Sequence, residues 1–322
     1  MAARTGWRDL AKRWSSAPDG LPRPDAPLCR GPIAARILGR VIDTAAAVGG
    51  RIPAGVAHRL AVIGGNLEWL ARPGKRRRLA VNIAHAVDLP SGAPAVRALV
   101  RREIVNEARR SADVLWAIHR PDEFLATAVI EGGEHAAAAA GRGRGLVLIG
   151  IHVGGWEVAT AVPAAVVPVP TTAVAADDWL AWAIQHVRAT AGLRIVYATD
   201  RMLEPARLLA RGEALLVLGD DATRAASRSY PVRFCNATAR LPGGAVALAR
   251  LAGAPIVTFT VLPLGPRRWR ITIDPALEPP GRDTGRAGER ATLQLLADRW
   301  SDVVRRHPEH WSASFAIDWS GP

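Results

Sequence analysis

Cysteine is scarce in this sequence, and its scarcity excludes two kinds of protein. The 322 residues include two cysteines, Cys29 and Cys235, too few for a disulfide scaffold or for a metal site made of cysteines alone. The low cysteine content favours a reducing compartment. Apolar residues make up 49% of the chain and charged residues 22%, so a wholly disordered chain and a collagen-like chain are also excluded.

A run of residues suited to crossing a membrane is missing as well. The longest uncharged stretch, residues 158–176, has the length of a span but contains Pro163, Pro168 and Pro170. Three prolines so close together would break a spanning helix, so we predict a helix, a proline-rich turn and a strand there. The basic N-terminus is not followed by an apolar segment with a cleavage site, so no secretory signal is expected. A soluble or peripheral protein is the expectation.

Negative charge is in short supply, because 42 lysines and arginines face 29 aspartates and glutamates. Lys12 and Lys75 are the lysines, so nearly all of the net charge of +13 comes from arginine. A GC-rich genome produces such a bias, yet the charge still attracts an anionic partner such as nucleic acid, anionic lipid or a phosphorylated substrate. Aromatic residues are only 5% of the chain, which argues against stacking platforms for nucleic acid, and no nucleic-acid partner is expected.

The order of predicted elements indicates an α/β protein. Residues 1–32, rich in Pro, Gly, Ser and Arg, read as a mobile leader, and residues 33–322 as a single domain. Residues 33–120 are predicted to form a helical, membrane-facing layer, and residues 121–322 an α/β core. That core alternates strands and helices, which predicts a mainly parallel central sheet flanked by helices. The predicted strands are 145–151, 193–197, 214–218, 255–262 and the edge strand 269–273; the predicted helices are 177–191, 202–211, 243–251 and 286–306.

The N-terminal layer has two parts. Residues 37–70 are apolar and rich in small residues, with arginines spaced along them, a pattern that suits a helix pair lying on a bilayer or an ordinary core hairpin. A helix is predicted from Lys75, and the clearest helix covers 95–118. Basic residues at 72–78 and 97–110 favour an anionic leaflet.

Several common chemistries lack their motifs. The chain has no Gly-x-Ser-x-Gly elbow and no Gly-Lys-Ser/Thr phosphate loop, so the corresponding hydrolases and nucleotide-binding proteins are not expected. Gly141, Gly143 and Gly145 precede a predicted strand, whereas a dinucleotide fingerprint follows one. His307 and His310 read as a surface helix end, since no third ligand for a metal is evident.

The informative segment runs from Ile151 to Glu157. A buried strand delivers His152 to its C-terminal end, the edge where open α/β sheets bind ligands. Gly154 and Gly155 allow a tight turn and a close approach to a ligand, and Glu157 is expected in the first turn of the next helix. A turn between them lets His152 and Glu157 face each other, so that the carboxylate makes the imidazole a general base. The glycine N–H groups and the helix N-terminus would stabilise an oxyanion. The spacing alone leaves open a histidine that merely caps a strand and an exposed glutamate.

This segment resembles the acyltransferase motif of the lysophospholipid acyltransferase superfamily. The branch in question contains the late acyltransferases of bacterial lipid A synthesis and the phosphatidylinositol mannoside acyltransferase. Five further pieces match that branch in order over roughly residues 35–315: a basic helix at 75–86, a helix from 178 through Arg188 to Gly192, a strand with an acidic pair at 215–221, a helix and strand at 240–257, and a His-Pro-Glu-x-Trp signature at 305–311.

The resemblance implies a reaction and roles for the residues. An acyltransferase of this kind moves a fatty acyl group from a thioester, on CoA or acyl-carrier protein, to a hydroxyl of a glycolipid or lysolipid. His152 would take the hydroxyl proton, Glu157 would hold the imidazole, and no metal or redox cofactor is called for. The remaining expected contacts with substrate are Gly154, Gly155 and Trp156 in the loop, Arg188, Arg224 and Arg240 for the donor's phosphates, and Asp220 and Asp221 for an arginine or an acceptor hydroxyl unless they cap a helix.

The resemblance also implies a place in the cell and leaves alternatives. The helical layer would supply an apolar groove and attach the protein peripherally to the cytoplasmic face of the cell membrane. Val153 and Gly155 depart from the family's usual aromatic residue and Asn, and residues 230–232 lack a carboxylate that some members carry. A soluble sugar or natural-product acceptor, an inactive family member, and Cys235 as a nucleophile are the alternatives.

Overall fold

A computed structural model of the chain describes residues 32–117, 120–158, 165–175, 193–197, 203–221 and 228–320. The predicted leader, apart from Pro32, lies outside these residues, as does the predicted helix 177–191. Arg188 and Arg224 are also outside them.

The N-terminal layer consists of four helices: α1 (Pro32–Arg51), α2 (Ala54–Ala71), α3 (Pro73–Val87) and α4 (Pro94–Ala117). The predicted helix pair and the two predicted helices after it are confirmed. Three of the four begin with proline, whose fixed φ suits the first turn and which lacks an N–H to leave unpaired there. Buried aliphatic residues of α3 and α4 pack together, among them Leu79, Ile83 and Val100. Within the described residues, no helix has the length and hydropathy needed to cross a membrane.

A seven-stranded sheet forms the centre of the molecule. Its strands are β1 (Val129–Glu131), β2 (Leu146–Gly150), β3 (Thr171–Ala175), β4 (Arg194–Tyr197), β5 (Ala214–Leu218), β8 (Ile256–Gly265) and β9 (Arg268–Ile273). They lie in the order β1-β9-β8-β2-β5-β3-β4. Every neighbouring pair is parallel except β8 with β9, which confirms the mainly parallel sheet.

One predicted position in the sheet is wrong. β9 was expected at the edge, but β1 pairs with it in parallel register and forms the edge instead. β1 has only three residues, all exposed, so no periodicity in the sequence marks it.

A second, three-stranded antiparallel sheet is built from β6 (Ser229–Phe234), β7 (Ala237–Pro242) and β10 (Asp318–Ser320) in the order β10-β7-β6. This second sheet was not predicted from the sequence. The other helices among the described residues are α5 (Pro121–Thr127), α6 (Gly133–Ala140), α7 (Leu203–Ala210), α8 (Gly244–Ala252) and α9 (Gly285–Arg306), with 3-10 turns at Arg282–Thr284 and Pro308–His310.

The core lies on both faces of the central sheet. Val147 and Ile149 of β2 face one hydrophobic cluster, which includes residues of α9, whereas Leu146 and Leu148 face the other. Every residue of β2 is buried, as expected for a central parallel strand covered on both faces. The rigid end of β2 therefore fixes where His152 emerges.

Candidate active site

Strand pairing brings His152 and Asp220 together. β2 and β5 are parallel neighbours, with Gly150 paired to Leu218, so the chain leaves both strands at the same edge of the sheet. His152 lies two residues past β2 and Asp220 two residues past β5. The backbone N–H of His152 donates to both carboxylate oxygens of Asp220, at 3.2 and 3.1 Å.

The side chains of the two residues are also joined. Nδ1 of His152 lies 2.7 Å from Oδ1 of Asp220, and Asp220 is 0% exposed. Because a carboxylate is an acceptor, the hydrogen of the neutral imidazole resides on Nδ1, and Nε2 carries the lone pair. The indole Nε1–H of Trp311 donates to Oδ2 of Asp220 at 3.0 Å. Both oxygens of this buried carboxylate are therefore hydrogen-bonded.

The imidazole is packed but remains reachable. Trp156 lies edge-on to the ring with a centroid distance of 4.8 Å, and Phe315 is tilted against it at 4.9 Å. The side chain of His152 keeps 17% of its surface exposed. The two aromatic contacts and the hydrogen bond to Asp220 fix the ring orientation while part of the side chain stays exposed.

The surroundings of His152 change its pKa in two directions. Burial lowers the pKa of the imidazole, but the charge and hydrogen bond of Asp220 raise it, helped by the charges of Asp221 and Glu157. The net result is a pKa above the usual value for histidine. Negative charge near the ring thus stabilises the imidazolium, the form that a general base adopts after taking a proton.

A segment near the C-terminus pairs with the histidine loop. The N–H of Gly154 donates to the carbonyl of His310 at 2.8 Å, and the N–H of Ser312 donates to the carbonyl of His152 at 2.8 Å. Val153 and Trp311 form an antiparallel bridge between these bonds. The prediction of a surface helix end is wrong for His310, whose side chain is largely buried and whose pKa is lowered to about 4 by burial and by nearby Arg110.

The two glycines of the loop are required for packing. Gly154 has φ +64°, and a Cβ there would lie 2.0 Å from the carbonyl oxygen of Val261. A Cβ on Gly155 would lie 2.4 Å from the ring of Trp269. The N–H of Gly155 donates to the Val261 carbonyl at 2.6 Å, and that of Gly154 is bonded to His310. Both N–H groups are used inside the protein, which corrects the expectation that they face an oxyanion.

Glu157 interacts with the site through charge. It lies in a turn, half-buried, and residues 159–164 after it are outside the described part of the chain. Burial raises its pKa, against the opposing charges of Arg110 and His152. Among the described residues its Oε2 has no hydrogen-bond partner. The carboxylate that is hydrogen-bonded to the imidazole belongs to Asp220, which the sequence analysis placed at this edge without assigning it to His152.

Buried charges connect the helical layer to the site. Arg110 of α4 is buried, 3.2 Å from Glu103, and donates to the hydroxyl of Ser312. Lys75 of α3 is buried between Glu68 and Glu107, at 3.0 and 2.7 Å. The basic stretches of α3 and α4 were expected to face a membrane, but Lys75 and Arg110 point inward because each has buried or half-buried carboxylates to pair with.

The other predicted residues are placed as follows. Arg240 lies on β7 and donates to the carbonyl of Ser229 at 2.9 Å, with Asp318 3.9 Å away. Asp221 is half-buried next to Asp220. Cys235 is buried, with a pKa raised to about 12 by burial. Its thiol therefore stays protonated, which does not suit a nucleophile.

The fold and the site define an α/β enzyme with a histidine–carboxylate pair at the carboxyl edge of its parallel strands. The sequence model of the family described as bacterial lipid A biosynthesis acyltransferase matches residues 37–313. The chain belongs to this family and is an acyltransferase of lipid biosynthesis.

The chain was also compared with curated proteins and with solved structures. A search of curated proteins returned no match. Among solved structures, the chain is similar to the 1-acyl-sn-glycerophosphate (LPA) acyltransferase PlsC from Thermotoga maritima, with 12% identity and a TM-score of 0.38. That match covers 79% of this chain and 98% of the other.

Proposed function

We propose that this acyltransferase moves a fatty acyl group from a thioester, on CoA or acyl-carrier protein, to a hydroxyl of a glycolipid or lysolipid. In this proposal His152 is the general base. The observation that carries it is the 2.7 Å hydrogen bond from Nδ1 of His152 to buried Asp220. That bond leaves the lone pair on Nε2 of a ring with part of its surface exposed.

The reaction follows from that arrangement. Nε2 of His152 removes the proton from the acceptor hydroxyl as its oxygen attacks the thioester carbonyl. The tetrahedral intermediate collapses, the carbon–sulfur bond breaks, and the imidazolium returns its proton to the departing thiolate. Asp220 holds the productive tautomer and stabilises the imidazolium, and positioned bases of this kind contribute about 10²–10⁴-fold in rate. No metal or redox cofactor takes part in these steps.

Glu157 has a different part in the proposal from that of Asp220. Its charge acts on the imidazole through space and adds to the charge of Asp220. Trp156 packs against the imidazole at the approach to the ring. Gly154 and Gly155 shape the loop, and Arg188, Arg224 and Arg240 remain the proposed cations for the donor's phosphates.

The proposal includes peripheral attachment to the cytoplasmic face of an anionic membrane. Five apolar side chains of α2 are 45–70% exposed and recur with the spacing of one helix face: Val56, Leu60, Ile63, Leu67 and Leu70. On α1, Ile37, Val41 and Val48 are 57–58% exposed. An apolar stripe of this length flanked by arginines suits the interface of an anionic bilayer. This stripe supports a lipid acceptor over a soluble sugar or natural product.

The experiment that tests the proposal is acyl transfer from radiolabelled palmitoyl-CoA and from palmitoyl-acyl-carrier protein to a total lipid extract. We expect wild type to label a lipid and the His152→Ala variant to lose at least about 100-fold in rate. His135→Ala, on α6, is the control and should keep full activity. Labelling of an added soluble sugar in place of lipid would show that the acceptor is not a lipid. Equal rates for wild type and His152→Ala would show that His152 is not the general base.

A further inference from the structure

We propose that Trp311 is a positioning residue for the acyl transfer, because its indole N–H fixes the carboxylate that orients His152. Trp311, Asp220 and His152 then form one hydrogen-bonded chain, called here the relay. This inference rests on the proposed function, in which His152 is the base.

Three N–H groups hold the carboxylate of Asp220 in place. The indole N–H of Trp311 binds Oδ2 at 3.0 Å, Nδ1–H of His152 binds Oδ1 at 2.7 Å, and the backbone N–H of His152 reaches both oxygens. Trp311 and Asp220 are both 0% exposed. Water does not compete for these bonds at full burial, so the loss of the indole N–H leaves Oδ2 of this buried carboxylate with the backbone N–H of His152, which it shares with Oδ1.

The indole itself is held from several sides. Its backbone lies in the short antiparallel pairing with Val153, and Phe234 packs edge-on against its ring at 5.6 Å. The relay is therefore anchored at its far end to the core between β2 and the antiparallel sheet. A carboxylate bonded to a fixed indole cannot rotate without losing a bond, so the imidazole that it holds keeps one orientation.

Other buried tryptophans show that packing alone does not require this bond. Trp300 of α9 is 1% exposed and Trp269 of β9 is 0% exposed. Within the described residues, Nε1 of each has no hydrogen-bond partner. Trp311 differs from them in that its N–H is spent on the carboxylate next to the histidine.

The bond also has an electrostatic consequence. A donor on Oδ2 draws electron density from Asp220 and weakens it as an acceptor for the imidazolium. Among the described residues, the charges that raise the pKa of His152 include those of Asp220 and Asp221 after β5 and of Glu157 in its own loop. Removing the indole N–H leaves these three charges in place and makes Asp220 a stronger acceptor. The imidazole should then hold its proton to higher pH.

The test compares Trp311→Phe, which removes the N–H and keeps an aromatic ring, with Trp300→Phe as the matched buried control. Histidine labelled at Cε1 is incorporated into the full chain, and the His152 signal is assigned from its absence in His152→Ala. We expect the pKa of His152 to rise by about half a unit in Trp311→Phe. It should be unchanged in Trp300→Phe. No shift in Trp311→Phe, or the same shift in both variants, would overturn the relay.

Kinetics of palmitoyl-CoA turnover provide the second readout. In Trp311→Phe we expect kcat to fall about tenfold with KM for palmitoyl-CoA unchanged. The acid limb of the pH profile should move up by the same amount as the pKa of His152. A change confined to KM would contradict a positioning role. If His152→Ala keeps activity, the proposed function fails, but the titration of His152 still decides whether the relay exists.

A second variant covers the case in which Trp311→Phe does not fold. Replacement of Trp311 by benzothienylalanine keeps the shape of the indole and puts sulfur where the N–H was. The same rise in the pKa of His152 is expected. An unchanged pKa in this isosteric variant would overturn the relay as well.

Discussion

Asp220 and Glu157 are both carboxylates near one imidazole, and their replacement should separate their roles. Asp220→Asn lets an amide donate to Nδ1, which moves the hydrogen to Nε2 and removes the base, so we expect a loss of about 10³–10⁴-fold in kcat. Glu157→Gln removes a charge that acts on the imidazole through space and should cost less than about tenfold. Initial rates of CoA release from palmitoyl-CoA measure both.

The pH dependence of the same variants has a definite sign. The charge of Glu157 raises the pKa of His152, so Glu157→Gln should lower it. A neutral imidazole then persists to lower pH, and the acid limb of the rate profile moves down. A loss in Glu157→Gln as large as in Asp220→Asn would contradict the assignment of the orienting role to Asp220 alone.

The thiol of Cys235 gives a further test at the residue scale. Burial raises its pKa to about 12, so the thiolate fraction is small at neutral pH. In a Cys29→Ser background, the folded protein should react with a disulfide reagent far more slowly than the urea-unfolded chain. Equal rates in the two states would show that Cys235 is open to solvent and would return it as a candidate nucleophile.

The residues of the site were only partly accessible from the sequence. His152 and Asp220 were found because each follows a short buried run, and the ends of parallel strands meet at one edge of a sheet. Their pairing could not be predicted, because the sequence does not show that β2 and β5 are neighbours in the sheet. Trp311 was noticed only as part of a resemblance, because its contact with Asp220 spans 91 positions of the chain.

At the scale of elements, the apolar stripe of α2 predicts membrane binding. Leu60→Ser with Leu67→Ser removes two of its exposed side chains and should reduce flotation with anionic phosphatidylglycerol vesicles several-fold. The matched control is Leu251→Ser with Leu295→Ser, because these leucines of α8 and α9 are 51% and 53% exposed. Equal loss of flotation in the two double variants would assign binding to general hydrophobicity.

Helix α3 holds residues 313–315, in which Phe315 packs against the ring of His152. Buried Asn82 donates to the carbonyls of Ala313 and Phe315 at 2.7 and 3.0 Å and accepts from the indole of Trp319 at 2.8 Å. Asn82→Ala leaves these buried and half-buried groups without their partner, so we expect the free energy of unfolding to fall by about 2–3 kcal/mol. Urea titration measures the free energy of unfolding, and Asn236→Ala, at an exposed position, is expected to lower it less. An equal loss in the two variants would show that the hydrogen bonds of Asn82 do not stabilise the protein more than those of an exposed asparagine.

The elements that the sequence predicted carry strong apolar patterns. Helices α3, α4 and α9 carry several turns of apolar repeats, and the central strands are continuous apolar runs. β1 and β10 have three residues each, too short to show a period of two. β6 does alternate buried and more exposed residues, but Pro231 within it lacks an N–H for the ladder and counts against a strand in the sequence. The second sheet was therefore missed.

At the scale of the whole molecule, His310 links stability to pH. Burial, with the charges of Arg110, His307 and Arg109, lowers its pKa from 6.5 to about 4. Between those values the unfolded chain binds a proton that the folded protein excludes, so stability is lost as pH falls. The loss in the free energy of unfolding reaches roughly 2–3 kcal/mol when the pH has fallen to about 4.

His310→Asn isolates that contribution. The variant should lose less free energy of unfolding than wild type as the pH is lowered from 6.5 to about 4. Urea titrations at several pH values in this window make the comparison. Parallel curves for the two proteins would show that His310 is protonated in the folded state and that the C-terminal segment is more open than the structure has it.

The catalytic role of His152 is tested most directly by chemical rescue. His152→Ala is assayed for acyl transfer from palmitoyl-CoA while the concentration of neutral imidazole is raised at constant pH and ionic strength. We expect a nearly inactive variant whose rate rises in proportion to imidazole, while the Asp220→Asn variant gains little. A His152→Ala variant that is as fast as wild type without any imidazole would show that His152 is not the general base.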